Sequence, residues 1–278
     1  MLIYINGEYT DSNIPGILTS DRGFLLGDGI FTTLKVIKSN IVHFQAHYQR
    51  LKSNSNVIHL PFSYTEASLK DICLNLIKLN NLELDTLIMR ISLTRGKSQR
   101  GIDIPVPCNP TIVITIAVSN TAPPKPISLN ISTYKRNEYS PICHIKTPNY
   151  LEAILARQEA QQLKFDDAIL TNTKGDICET TTANLFFVQN KQIYTPCPND
   201  GILPGITREF IIELAEKLEI PVIQTTIGQN EINGFDEAFV TNCAVGVQRV
   251  THIGKHVFLK DDITNMIYNQ YFSMLCYA

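Results

Sequence analysis

The chain has 278 residues, 44% of them hydrophobic and 18% charged, with a formal charge of −2 and a pI of about 6.3. That is enough apolar material for one large domain or two ordinary ones. The near-neutral balance excludes a global field toward nucleic acid or an anionic membrane, and the longest apolar stretch, near Thr111 to Val118, is strand-length and too short to cross a bilayer.

In chain order, LIYI-NG-EYT sets Asn-Gly between two β-prone runs and predicts a hairpin. Ile30 to Ile37 reads as a strand. Gln45 to Ile58 reads as a helix with Tyr48, Leu51, Ser55 and Ile58 along one side. Tyr64 to Leu79 is a second helix, capped by Ser63 with Glu66 as the other half of a capping box. It carries Leu69, Ile72, Cys73, Leu76 and Ile77 at helical spacing. Strands follow near Thr86 to Leu93 and Thr111 to Val118. The run SNTAPPKP, 119–126, is the best linker in the chain. After it come a helix from Tyr150 to Leu163, strands near Ala168 to Leu170 and Leu185 to Val188, and a helix from Ile206. Strands near Val222 and Ala238 to Thr241 precede a closing helix from Asp261 to Tyr277. The fold class expected is α+β in two domains, 1–118 and 127–278, joined by 119–126.

The seven cysteines are dispersed and form no CxxC pair, which argues for small buried side chains in a reducing cytoplasm over disulfides or zinc. MLIYINGEYT lacks a basic segment followed by an apolar stretch and does not read as a signal peptide. RGKS resembles the end of a P-loop, but the upstream glycine position is Ile91. His43 and His47 stand four apart without a third ligand and read as surface or helix-end histidines. Asp21 and Arg22 read as a pair fixing a loop, and Phe186 and Phe187 as core.

Some residues have the chemistry to hold an aldehyde-phosphate cofactor. A partly desolvated Lys suits the aldehyde, and Lys146 sits where a short β-like run meets a helix. A phosphate needs a helix amino terminus with close backbone approach, plus an Arg. Leu203-Pro204-Gly205-Ile206-Thr207 is such a helix opening, and Arg50 lies on an early helix. A pyridine nitrogen needs a carboxylate, and Glu179 stands just before a strand. Taken singly, each also has a plainer reading. A lone Lys, Arg or Glu is ordinarily solvated, and Gly before a helix is ordinarily a turn.

Together, in this order, the strings DRGFLLGDGIFTTLKV, HYQRL, KTPNYLEAILARQEA, GDICETTTANLFFV, GILPGITREFI and DEAFVTNCAVGVQRV resemble the fold-type IV pyridoxal-phosphate enzymes. That group comprises branched-chain aminotransferases, D-amino acid aminotransferases and 4-amino-4-deoxychorismate lyases. The resemblance runs from about residue 2 to residue 260. It implies pyridoxal 5′-phosphate as cofactor, with Lys146 as Schiff-base lysine and general base. It implies Glu179 at the pyridine nitrogen, and Arg50, Gly205, Ile206 and Thr207 at the phosphate. Thr241 and Asn242 match a turn that also approaches the phosphate, where Cys243 replaces the Thr common in aminotransferases. Tyr150 matches a Tyr that contacts the cofactor's phenolic oxygen in aminotransferases, where the spacing from the Lys is longer.

Within the group, Phe31-Thr32-Thr33 looks like the lyases, whereas D-amino acid aminotransferases tend to place Tyr-Glu at the first two positions. ETTTANLF, TNCAVGVQRV and RGKSQRG also resemble lyase motifs. Where D-amino acid aminotransferases carry a carboxylate-binding His after the second Arg of that last motif, this chain has Ile102. Thr32 and Arg100 are accordingly expected to contact substrate. The resemblance implies a lyase releasing pyruvate from 4-amino-4-deoxychorismate to give 4-aminobenzoate for folate synthesis. An aminotransferase of D-amino or branched-chain acids is the alternative. A non-enzymatic cofactor binder is disfavoured because Lys146, Glu179 and Arg50 are all present. A small-molecule substrate, a homodimer and a cytoplasmic location complete the expectation, with no nucleic-acid or membrane partner.

Overall fold

Asn6 and Gly7, at φ of 48° and 104°, turn β1 (Leu2–Ile5) onto β2 (Glu8–Asp11) with Ile5 opposite Glu8, the hairpin read from the sequence. The computed structural model describes the chain apart from Pro15, Asn120, Thr121 and Ala278 and the side chains of Cys276 and Tyr277. Asn120 and Thr121, within the expected linker 119–126, therefore lie outside the described residues. Helix and strand occur in comparable amounts, in an α+β fold.

Two compact units divide the chain: Met1–Thr121 with Lys146–Asn149, and Ala122–Ile145 with Tyr150–Ala278. The sequence reading assigned Lys146 to the carboxy-terminal domain, whereas the structure groups it with the first unit. The reason is a free strand edge. In the first unit, β3 (Gly29–Ile37) is flanked on one side by β4 (Asn40–Ile41) only at Val36 and Ile37. Nearer its start, the Phe31 amide donates to the Lys146 carbonyl at 2.9 Å. Asn149 adds a side-chain bond to the Gly27 carbonyl at 3.3 Å. Gly27 lies in the left-handed region, φ 67°, and a Cβ there would meet the Asn149 amide oxygen at 2.3 Å.

The rest of this unit is α1 (Arg22–Leu26), α2 (Phe44–Val57), α3 (Glu66–Leu79), β5 (Thr86–Thr94) and β6 (Thr111–Val118). Its six-stranded sheet runs β2-β1-β6-β5-β3-β4. Alternation along β5 buries Leu87, Met89, Ile91 and Leu93, and α3 buries Leu69, Cys73, Leu76 and Ile77, close to the expected face. The cap of α3 differs from expectation. Tyr48 donates to the Tyr64 carbonyl at 3.0 Å, the Phe62 ring packs against both tyrosines, and 62–64 lie outside the helix. Thr65 thus becomes the N-cap, with Ser68 in place of Glu66 completing the box.

The second unit comprises β7 (Ile127–Arg136), α4 (Leu151–Gln162), β8 (Asp167–Asn172), β9 (Ile177–Thr180), β10 (Asn184–Gln189), β11 (Gln192–Thr195) and α5 (Ile206–Lys217). β12 (Val222–Gln224), β13 (Glu237–Asn242), β14 (Gly246–Ile253), β15 (His256–Val257) and α6 (Asp262–Tyr277) follow. The nine strands form one sheet in the order β12-β11-β10-β13-β14-β7-β8-β9, with β15 on β14. Phe186 and Phe187 are fully buried as expected, and Phe186 stacks on Phe239 with centroids 4.8 Å apart. Buried Glu237 accepts from the amides of Ile263 and Thr264, capping α6. Among the described cysteines none is in a disulfide. Cys73, Cys143 and Cys178 are buried, and Cys108, Cys197 and Cys243 only half-buried.

The loop-fixing role read for Asp21 and Arg22 takes a definite form. Asp21 caps α1 through the Gly23 amide at 2.8 Å. Buried Arg22 donates to the carbonyls of Gly101, Ile102 and Asp103, and its Nε reaches Asp28 at 2.7 Å. Arg95 bonds the same Asp28 oxygen at 2.8 Å and donates to the carbonyls of Ile58 and His59. Burial pushes the Asp28 pKa up, but the bonds and charges of Arg95 and Arg22 outweigh it and hold the carboxyl below its usual value. A depressed carboxylate contributes stability that is present above its unfolded pKa and lost as pH falls through the folded one. Asp28→Asn is therefore expected to cost about 3 kcal/mol in urea unfolding at neutral pH, by leaving two buried guanidinium groups without their anion. The difference from the parent protein should shrink in acid, and a pH-independent difference would refute the coupling.

Candidate active site

Strand alternation sorts β3 into two chemical faces. On one face the Phe31 ring lies 4.7 Å from the Lys146 Nζ and 3.5 Å from the Arg90 guanidinium carbon. Arg90 comes from β5, where it pairs with Thr33, and its Nε donates to Ser92 at 3.0 Å. Lys146 itself is half-buried. This side of the unit thus presents an amine and a guanidinium against one aromatic ring.

The other face carries Thr32, which is fully buried. Its hydroxyl accepts from Arg50 Nη2 at 2.8 Å and lies 2.6 Å from His47 Nδ1. A guanidinium has only donors, so the Thr32 proton goes to His47, whose own proton is then on Nε2. Burial first, then the charges of Arg50, His43 and Lys146, hold His47 well below the ordinary histidine pKa. One expectation changes here, and another residue gains partners. Thr32, expected to contact substrate, bonds Arg50 and His47 through its hydroxyl. His47, read as a surface or helix-end residue, is 2% exposed. Its spacing to Arg50 on α2, one helical turn, was the signal that joins them.

In the second unit Glu179 ends β9 and is buried. Arg136, the last residue of β7, pairs with its Oε1. Its Oε2 accepts from Asn184 Nδ2 at 2.9 Å and from the Leu203 amide at 3.2 Å. Three donors hold a carboxylate that has roughly four lone-pair sites, which leaves room for one more. Asn184 also donates to the Leu203 carbonyl at 2.8 Å, tying β10 to the segment that opens α5.

That opening is built for close approach. Gly205 is the N-cap of α5 and makes no side-chain cap, so the amides of Ile206 and Thr207 begin the helix without a protein side-chain acceptor from the cap. A Cβ at Gly205 would sit 2.0 Å from the Asn184 amide oxygen, a space only glycine leaves open. Across the β10–β13 ladder Asn184 faces Thr241, whose Oγ1 is buried without a hydrogen-bond partner. Asn242 shapes the turn after it, accepting from the Ala244 and Val245 amides. An unpartnered buried hydroxyl, a helix start open to backbone approach and an anchored carboxylate with a spare lone pair fit a ligand bearing both a phosphate and a ring nitrogen.

The structure thus gathers Lys146, Thr32, His47 and Arg50 in one unit, and Glu179, Gly205, Ile206, Thr207, Thr241 and Asn242 in the other. Tyr150 is the half-buried residue at the start of α4 in the second unit. Arg100, expected at the substrate, is exposed on the loop whose carbonyls Arg22 grips. Arg136 was missed, because an Arg in a Lys-Arg pair at a strand end reads as solvated. Among the described residues no cluster suits a metal ion, and no helix is long and apolar enough to cross a membrane.

The neutral, buried His47 has a consequence for stability. The unfolded chain takes up a proton near the ordinary histidine pKa of about 6.5 while the folded chain does not, so stability falls as pH drops below that value. Thermal unfolding across this range should show the fall. His47→Gln, which keeps an acceptor for Thr32, should reduce it, and an unchanged profile would count against a neutral His47.

The chain is similar to known proteins over most of its length. The family model for amino-transferase class IV matches residues 29–253. A D-alanine aminotransferase of Staphylococcus haemolyticus is 28% identical over 90% of this chain and 88% of its own. A Legionella pneumophila structure provisionally named 4-amino-4-deoxychorismate lyase is 28% identical, with a TM-score of 0.86 over 95% of this chain and 97% of that one. The branched-chain amino acid aminotransferase of Escherichia coli shares the fold, with a TM-score of 0.93 at 23% identity over 98% of this chain and 94% of that one. The chain belongs to the amino-transferase class IV family and is a pyridoxal 5′-phosphate enzyme of fold type IV.

Proposed function

We propose that this chain is a 4-amino-4-deoxychorismate lyase, releasing pyruvate and forming 4-aminobenzoate for folate synthesis. The observation that carries the reading is the chemistry of β3. Where the D-amino acid aminotransferases tend to carry Tyr-Glu, this chain has Phe31 and Thr32. The Thr32 hydroxyl serves Arg50, and the Phe31 ring faces two cations. Arg90 gives a fixed positive charge suited to a substrate with two carboxylates. The Ile102 position, 83% exposed, supplies no imidazole for an aminotransferase-type carboxylate clamp. The 28% identical Legionella structure supports the same reading.

Lys146 carries the cofactor aldehyde in this proposal, with Glu179 at the ring nitrogen. Arg50, the amides of Ile206 and Thr207 at the Gly205 opening, Thr241 and the Asn242 turn are assigned to the phosphate, and Tyr150 to the phenolic oxygen. The bound cofactor supplies an electron sink for the charge left when a proton leaves the amine-bearing carbon. With the cofactor bound, the Lys146 amine would take up that proton. Breaking the enol ether would then release enolpyruvate, which becomes pyruvate when its methylene carbon takes up a proton, and aromatisation makes the step downhill. Thr32 and neutral His47 keep Arg50 oriented throughout, and the Phe31 ring limits water at Lys146.

The names of the relatives favour a second reading, an aminotransferase of D-amino or branched-chain acids. A Methanocaldococcus jannaschii protein provisionally named branched-chain-amino-acid aminotransferase is 29% identical over 92% of this chain and 89% of its own. A cytoplasmic homodimer completes the proposal, and exposed apolar side chains in the first unit support the dimer. Phe24 is 73% and Val106 95% exposed. Sedimentation should give twice the chain mass, and a monomer at working concentration would refute the dimer.

The two activities separate in a paired assay. The lyase reading expects 4-aminobenzoate and pyruvate from 4-amino-4-deoxychorismate without an added 2-oxo acid. No product there, together with turnover of D-alanine plus 2-oxoglutarate, would overturn it. In the same series Lys146→Ala should fold and bind cofactor without a borohydride-reducible link. Trapping at another lysine would overturn the assignment of Lys146.

A further inference from the structure

The Arg136–Glu179 pair raises a question about one proton. Glu179 and a pyridine nitrogen brought together are two bases that share a single hydrogen, and the proton can reside on either. A buried carboxylate with no cation beside it tends to keep the proton, because burial disfavours its charged form. Glu179 is 7% exposed. The nitrogen would then be neutral and a weak electron sink.

The structure places a permanent charge to decide this. Arg136 pairs directly with Glu179 Oε1, with the side chains only 22% and 9% exposed. The opposite oxygen is held by Asn184 Nδ2 and the Leu203 amide, both of them donors. All three contacts stabilise the anion, and none offers an acceptor to a protonated Glu179. Among the groups around Arg136, Glu152 of α4 has its pKa raised by burial and is drawn down by the Arg136 charge. Cys143 and Cys178 are pushed up by burial and so remain neutral thiols. The guanidinium touches the carboxylate itself, so a nitrogen bonded to that carboxylate lies farther from the positive charge than the carboxylate does. Coulomb attraction to the anion therefore exceeds repulsion of a protonated ring.

We propose that Arg136 is a positioning residue that keeps Glu179 ionised, so that the shared proton resides on the ring nitrogen of the cofactor. This rests on the assignment of Glu179 to that nitrogen, but not on which reaction the enzyme performs. The requirement is the same for elimination and for amino transfer, since both need the ring to accept charge.

The test uses the full-length holoenzyme reconstituted with ring-¹⁵N pyridoxal 5′-phosphate. The nitrogen chemical shift reports protonation directly, without turnover. The parent protein should give the protonated signal, Arg136→Gln should move most of it to the unprotonated position, and Arg136→Lys should largely restore it. An unprotonated nitrogen in the parent, or an unmoved signal in Arg136→Gln, overturns the proposal. Glu179→Gln separates the two premises. If that variant leaves the nitrogen signal unchanged, the assignment of Glu179 itself fails.

Affinity gives a second readout. Arg136→Gln should weaken pyridoxal 5′-phosphate by about tenfold, the scale of one charge-assisted contact. It should leave unchanged the affinity for an analogue with carbon in place of the ring nitrogen. Equal losses for both ligands would show a structural role only and would also overturn the proposal.

Discussion

The first unit depends on the two-sidedness of β3. A strand cannot send neighbouring side chains to the same face, so Phe31 and Thr32 must serve different partners. Phe31 goes to Lys146 and Arg90, and Thr32 goes to His47 and Arg50. Strand β3 therefore holds the Lys146 amine on one side and steadies the Arg50 guanidinium on the other. The link also runs through a single residue. The Phe31 amide that fixes Lys146 belongs to the residue whose ring faces the Lys146 amine.

The second unit solves a different problem, the burial of a carboxylate. A buried anion costs several kcal/mol unless it is fully bonded, roughly what the Born penalty leaves after relaxation. Glu179 meets that cost with a guanidinium, an amide side chain and a backbone amide drawn from three separate segments. Asn184 does two jobs, since it also binds the Leu203 carbonyl and sets the spacing that only Gly205 tolerates. The carboxylate and the helix opening are thus parts of one bonded network. A change at Asn184 should disturb both together.

Arginine recurs in these networks for a geometric reason. Its planar fork reaches several acceptors at once, which a lysine cannot do. Arg22 joins Asp28 to three loop carbonyls, and Arg95 joins the same Asp28 to the end of α2 and the residues after it. The loop carrying Arg100 and Ile102 is therefore held by its backbone while its side chains point outward. That division leaves the loop's sequence open to serve specificity without cost to the fold.

The sequence by itself determined the elements and the cofactor chemistry. Asn6-Gly7 specifies its hairpin because only a turn with both residues at positive φ suits the strand twist, and the apolar spacing of α3 specifies its buried face. The six ordered motifs were enough to indicate the family, with Lys146 and Glu179 legible as a pair of types in a fixed order. Tertiary structure decided whatever depends on a partner distant in the chain. Thr65 caps α3 where Tyr48 takes the Tyr64 carbonyl out of the helix ladder. Thr32 meets Arg50 because β3 packs against α2. Lys146 joins the first unit because a strand edge needed an acceptor. Arg136 could not be read locally at all, since its pairing comes only from the folding of β7 beside β8 and β9, which brings a strand-end guanidinium onto a buried carboxylate.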